Sequence, residues 1–311
     1  MAHPLKKILV VTPGHSHYPA RLLPLSGHPK NLYLLGDLQL LQGRPMIAVV
    51  GTRRASHYAV SITRRLIQQM KPWHPTIVSG MAMGIDAVAQ QAALDHGLKT
   101  IGVLGCPVDV VYPQQNEALY TRVKREGLLV SEFAPGSPIY ASHFPARNRI
   151  IAGLSDAVIV VEAPEKSGAL ITAGFAADYD RAVFVVPGPI SMQKNLGGHR
   201  LIEDGAHLLY DVEEMFKILK FEKTFAHPRH PGIVIPAKAG THDIGAISRV
   251  LTFLTAEPIH IDKIITMSHE PPNRVMALLS EATLAGMVEE LPGKFFVRTN
   301  VILRAGGGAI L

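Results

Sequence analysis

Between Met46 and Leu209 the chain repeats one hydrophobic figure: a short unbroken apolar run, then a longer stretch of helical amphipathicity. The runs are MIAVVG from Met46, TIVSG from Thr76, TIGVLG from Thr100, LLVSE from Leu128, AVIVVEA from Ala157 and AVFVVPG from Ala182. Runs of this kind, without polar alternation, are what strands covered on both faces require. The intervening segments 57–70, 84–96, 116–126 and 168–179 are long enough for crossover helices. The pattern predicts an α/β domain on a doubly wound, mainly parallel sheet. Several runs end in Gly or Ser just ahead of a helix, and open α/β sheets take their ligands outside those carboxyl ends. A functional site is expected along that edge.

The pattern changes after residue 221. Residues 222–243 carry Pro228, Pro231 and Pro236 among scattered histidines with no period, which predicts a linker. Beyond it AISRVLTFL reads as a helix, Glu257-Pro258 as a break, IDKIIT as a short helix and PPNRVMALLSEATLAG as a third, opening at Pro271-Pro272. MVEELPGKFFVR reads as a two-stranded wing turned at Pro292-Gly293. Three helices and a hairpin predict a small C-terminal winged-helix domain over 244–300, with a disordered tail at 301–311. Residues 1–45 are expected to form an N-terminal extension packed on the 46–221 core.

Composition narrows the class. With 47% hydrophobic and 18% charged residues in 311, the chain can bury a sizeable core and lies far from the signature of disorder. Cys106 is the single cysteine, which excludes an intramolecular disulfide. The apolar stretch Ile8 to Val11 is too short for a secretory core, and no window reaches the ~18 apolar residues of a spanning helix. A cytoplasmic protein without membrane contact is expected. A net charge of +6 suits a polyanionic partner. From Thr241 onward six Lys and Arg face seven Asp and Glu, so residues 1–240 carry a net +7. The positive charge belongs to the large domain.

Four motifs carry candidate chemistry. GTRR begins at Gly51 after the first strand of the repeat; with Thr52, it offers free amides at a helix start and the guanidinium of Arg53, which suit a phosphate. A plain turn with solvated arginines would leave the same sequence. SGMAMGID runs from Ser79 and Gly80 to Asp86, a glycine-rich anion cradle that Asp86 can order by accepting backbone N–H bonds. Asp86 as a general base has no His, Cys or second carboxylate in its motif to work with. FPARNRIIAGLS, from Phe144, sets Arg147 and Arg149 around Asn148 ahead of an apolar half; an aromatic beside two guanidiniums gives single strands a stacking face and phosphate forks. A surface ion-pair cluster with Phe144 in the core is the alternative. SGALITAGFA opens with Ser167 as an N-cap and Gly168, adding N–H donors along the same edge. The histidines lack metal-ligand spacing, so neither a metal nor a cofactor is expected.

In order and spacing these motifs resemble the DprA/Smf family of DNA-processing proteins over nearly the whole chain. The match includes Tyr18-Pro19 to Leu22, GTR, SGMAMGID, TIGVLG followed by Tyr112-Pro113, LLVSE, FPARNRIIAGLS, SGALITA, VPG and HRLIEDGA. The resemblance implies an extended Rossmann-like domain that binds single-stranded DNA without sequence specificity and forms a homodimer. It also implies a non-enzymatic protein that protects incoming DNA and helps load RecA recombinase in natural transformation. It places DNA contacts on Arg53, Phe144, Arg147, Asn148 and Arg149, with Ser79, Gly80 and Ser167 cradling phosphates; Gly51, Thr52 and Gly168 of the same motifs are expected to join them in binding DNA. The sequence departs from the family at Tyr58-Ala59, at Ala89-Gln90, and at Ala141, where a basic residue is frequent. A helical domain that many members carry ahead of Tyr-Pro has no counterpart in the 17 residues before Tyr18. The second reading is a nucleotide-processing enzyme of the Rossmann-like phosphoribohydrolase type, whose PGGxGTxxE signature is replaced by EAPEKSGALITA. The winged helix, nearly neutral and with Arg274 as the single arginine of its third helix, reads as a partner or regulatory module.

Overall fold

The computed structural model describes residues 7–43, 45–223, 250–254, 259–268, 270–284, 288–291 and 294–298. The chain divides into two compact units, Met1–Pro228 and Arg229–Leu311. The first is built on a nine-stranded sheet in the order β1-β2-β6-β5-β4-β3-β7-β8-β9. Its strands are β1 (Leu9–Val11), β2 (Leu32–Gly36), β3 (Met46–Val50), β4 (Thr76–Ser79), β5 (Lys99–Leu104), β6 (Leu128–Ser131), β7 (Ala157–Val160), β8 (Ala182–Val185) and β9 (His207–Leu208). From β6 across to β9 neighbouring strands are parallel, whereas β1 and β2 extend the β6 edge in antiparallel fashion.

All six apolar runs became strands, and the reason is visible in their packing. Along β3, Ile47 and Val49 point into one core with Ile77, Ile159 and Phe184, while Ala48 and Val50 point into another with Val78, Val158 and Val160. With side chains alternating between faces, only a run apolar at every position fills both. The first face is covered by α1 (His57–Gln69), α2 (Ile85–Asp95) and α7 (Val212–Ile218), where Trp73 stacks on Phe216 at 4.5 Å. The second is covered by α4 (His143–Leu154) and α5 (Gly168–Asp178), which pack on each other. Helix α3 (Glu117–Glu126) buries Leu119, Tyr120 and Val123 over the β6 edge, and α6 (Leu196–Glu203) follows β8. The N-terminal segment packs on the core through Leu22, so tightly that a Cβ on Gly153 of α4 would lie 2.7 Å from its Cδ2.

The chain leaves β3 toward β4, β5 and β6, then returns to lay β7 on the other side of β3. Consecutive loops therefore diverge at the carboxyl ends of β3 and β7: the first enters α1 on one face, the second α5 on the opposite face. This is the topological switch point, where an open α/β sheet leaves a crevice.

The second unit contains β10 (Ile259–His260), α8 (Ile261–Ser268), α9 (Pro272–Leu284), β11 (Val288–Leu291) and β12 (Phe295–Arg298). Its core includes Ile264, Val275, Leu279 and Phe296. Both helices and the wing stand where the pattern set them, and β10 adds a third strand to the wing by pairing with β12. Residues 224–243 of the expected linker, residues 246–249 of the first expected helix, the Glu257-Pro258 break, the Pro292-Gly293 turn and the 301–311 tail lie outside the described residues. Among the described residues no helix is long and apolar enough to cross a membrane.

Candidate functional site

The switch point opens into a cavity of about 390 Å³. Gly51, Thr52 and Arg53 line it from the loop after β3, and Ser167 and Gly168 from the start of α5. Phe144, Arg147 and Asn148 line it from the first turns of α4. The two loops are tied together at their bases. Thr52 N–H donates to the Glu162 carbonyl at 2.7 Å, and Ser56 N–H to a Glu162 carboxylate oxygen at 2.8 Å. That carboxylate sits at the N-terminus of α1, where the helix dipole favours negative charge. Ser56 caps the same helix by accepting from Ala59 N–H at 3.1 Å. Ser167 caps α5 by accepting from Ala169 N–H at 3.3 Å, so the positive end of the α5 dipole borders the cavity.

The polar residues divide by burial into a frame and a contact surface. Arg147 is buried: Nη1 donates to the Gly80 carbonyl at 2.6 Å and to the Val103 carbonyl, and Nε donates to Asn148 Oδ1 at 3.2 Å. It fastens α4 to the ends of β4 and β5. Asn148 in turn donates to the Gly168 carbonyl at 3.1 Å and braces α4 against α5. Asp86, also buried, accepts from Gly80 N–H at 3.0 Å, which is the loop-ordering role expected of it. Burial pushes the Asp86 carboxyl up, opposed by the nearby Arg147 charge, and burial pushes the Arg147 guanidinium down to about 10. Each charge favours the charged form of the other against the cost of burial. Gly80 lies between them, and a Cβ there would meet Asp86 Oδ2 at 2.6 Å and Arg147 Cζ at 2.7 Å. Exposed cations border the opening instead: Arg53, Arg54 and Lys166.

Three expected contacts stand elsewhere. Ser79 is fully buried, outside the cavity wall, with its hydroxyl donating to the Val49 carbonyl at 2.7 Å. Gly80 borders a second, smaller hollow next door. Arg149 is the larger correction. The sequence joins it to Arg147 as one basic unit, but residues two apart on an α-helix project about 200° from each other. Arg149 therefore leaves the cavity side and pairs with Glu132 at 2.7 Å, in a neighbourhood that includes Tyr18 and Tyr179.

Reading the sequence missed Glu162 and Gln90 as parts of the frame and Tyr112 as part of the surface. Gln90, buried, accepts from Met81 N–H at 3.2 Å and donates to Thr100 Oγ1 at 3.2 Å, so the departure at this position carries its own hydrogen bonds. The Tyr112 ring lies 5.0 Å from that of Phe144, and Arg53 stands over the Phe144 ring at 6.0 Å. Its signal was the Tyr112-Pro113 pair after the TIGVLG run. Cys106 is buried, and burial pushes its thiol up to about 11, so it stays protonated and unreactive at neutral pH.

Comparison with known proteins follows the two units. Residues 9–220 match the family model described as DNA recombination-mediator protein A, and residues 238–294 match the DprA winged helix domain. Protein Smf of Synechocystis is 34% identical over 95% of this chain and 81% of its own length. The DNA processing protein DprA of Streptococcus pneumoniae is 41% identical over 66% of this chain and 72% of its own. The X-ray structure of that S. pneumoniae protein superposes with a TM-score of 0.65 at 39% identity, covering 70% of this chain and 76% of the other. A structure of DNA processing protein A from Helicobacter pylori, described for its single-stranded DNA binding mode, superposes with a TM-score of 0.62 at 31% identity, covering 68% and 97%.

Proposed function

The chain belongs to the DprA/Smf family of DNA recombination-mediator proteins, and on that premise we propose that its switch-point cavity binds single-stranded DNA without sequence preference. One observation carries the reading: exposed Arg53, Thr52 and the α5 N-terminus gather anion-binding groups around a cavity whose wall includes the Phe144 ring. Phosphates take the guanidinium and the amides, and a base takes the aromatic face, which every base can do alike. Arg53, Thr52, Phe144, Ser167 and Gly168 touch the strand. Gly51, Arg147 and Asn148 shape the cavity, Ser79 and Gly80 stand outside its wall, and Lys166 supplies the cation that Ala141 does not. A duplex keeps its bases stacked inward and offers Phe144 none.

From family membership we infer that the bound strand is protected and handed to RecA recombinase in natural transformation, by a homodimer in the cytoplasm. No catalytic step is assigned. Asp86, the one carboxylate on the cavity wall, is occupied in holding Gly80 and Arg147. A gel-shift comparison tests the reading. Labelled single strands should be retained at protein concentrations at least tenfold below those needed for a duplex of the same length, and nucleoside monophosphates should release no free base. Equal retention of duplex, or base release, would overturn it.

A further inference from the structure

We propose that the apolar hollow beside the phosphate cavity is a nucleobase subsite and that Tyr112 is its stacking residue; the proposal rests on the single-strand reading. Met81, Met83, Leu104, Tyr112, Pro113 and Phe144 line the hollow. Arg53 and Phe144 border both it and the cavity, so an anion-binding surface and an apolar aromatic surface meet across these two side chains. A nucleotide has the same layout, a charged phosphate joined through a sugar to a flat apolar face.

Size decides how a base is held. At about 70 Å³ the hollow is too small to enclose a nucleoside, so a base lies across its mouth and stacks. The Tyr112 and Phe144 rings, 5.0 Å apart and inclined at 36°, leave no room for a base between them. Stacking uses an outer face, and Tyr112 is 46% exposed with Met83, at 43%, on the same rim. Polarizable methionine adapts to different rings without directional hydrogen bonds, as sequence tolerance demands. The platform is fixed beforehand. A Cβ on Gly105 would lie 2.7 Å from Phe144 Cδ1, and one on Gly102 2.8 Å from Met81 Cγ, so only these glycines let the strand end press against the ring and the thioether.

The test compares a labelled oligo-dT with an abasic deoxyribose-phosphate strand of equal length, by fluorescence anisotropy on the full chain. The natural protein should prefer oligo-dT roughly tenfold. Tyr112→Ser should bring the ratio of the two affinities toward one, and Tyr112→Phe should keep it. A ratio that Tyr112→Ser leaves unchanged even while both strands weaken would overturn the subsite and leave the strand-binding reading standing. Equal affinities in the natural protein would overturn both the subsite and the stacking of a base on Phe144, leaving only the phosphate contacts of that reading. Binding of neither strand would overturn that reading itself, and the subsite with it.

Discussion

A guanidinium enclosed among carbonyls is kept there by its donors, because each polar group left bare inside a fold costs about 1–3 kcal/mol. Arg147 serves the Gly80 and Val103 carbonyls and faces Asp86, so its removal strands two acceptors and one buried carboxylate. Arg147→Met should lower stability in urea unfolding by about 3 kcal/mol or more. Arg53→Ala, at an exposed position, should change stability by less than about 0.5 kcal/mol. Equal stability losses for the two would contradict the division into frame and contact surface. The RNR segment announced that cations stand near the edge of the sheet, but not which of them turn inward. That depends on which face of α4 meets the sheet, and Phe144, Arg147 and Ile151, spaced at helical intervals, all line the cavity while Arg149 points away.

At the level of elements, the cavity is held open by how α1 and α5 begin. Ser56 gives Ala59 N–H its acceptor, and Glu162 gives one to Ser56 N–H across the switch point. Ser56→Ala should cost about 1 kcal/mol of stability, read from the urea midpoint, and a loss below about 0.3 kcal/mol would show the cap to be idle. The parallel strands and their crossover helices were legible because strands buried on both faces must be apolar throughout and amphipathic helices must not. Strands β1 and β2 were not legible. Leu9–Val11 is short and follows a basic start, and LYLLG at 32–36 sits among loops, so neither shows a period; they form by pairing outward from β6, with Leu34 opposite Val130. Strand β10 escaped for the same reason, being two residues long and defined only by its partner in β12. Helix α4 was half legible, its buried C-terminal half from IIAGL and its charged first turns only as a surface of unknown orientation.

For the molecule as a whole, the excess positive charge lies in residues 1–240, and with it the cavity. The fold class and the composite of Arg53, Phe144 and the glycine loops could be read from the sequence, since motifs at successive strand ends must converge on one edge. Tyr112 could not be placed, because its approach to Phe144 joins residues far apart in the chain. Binding driven by phosphates displaces counterions, so its strength must fall with salt at about 0.7 in log–log slope for each phosphate neutralised on a single strand. The direct measurement is the affinity for oligo-dT across a salt series, for the natural chain and for Arg53→Ala. A steep slope that shrinks by about 0.7 in the variant is the expected result. A flat dependence, or one that Arg53→Ala leaves unchanged, would contradict the cavity as the place where the strand is held.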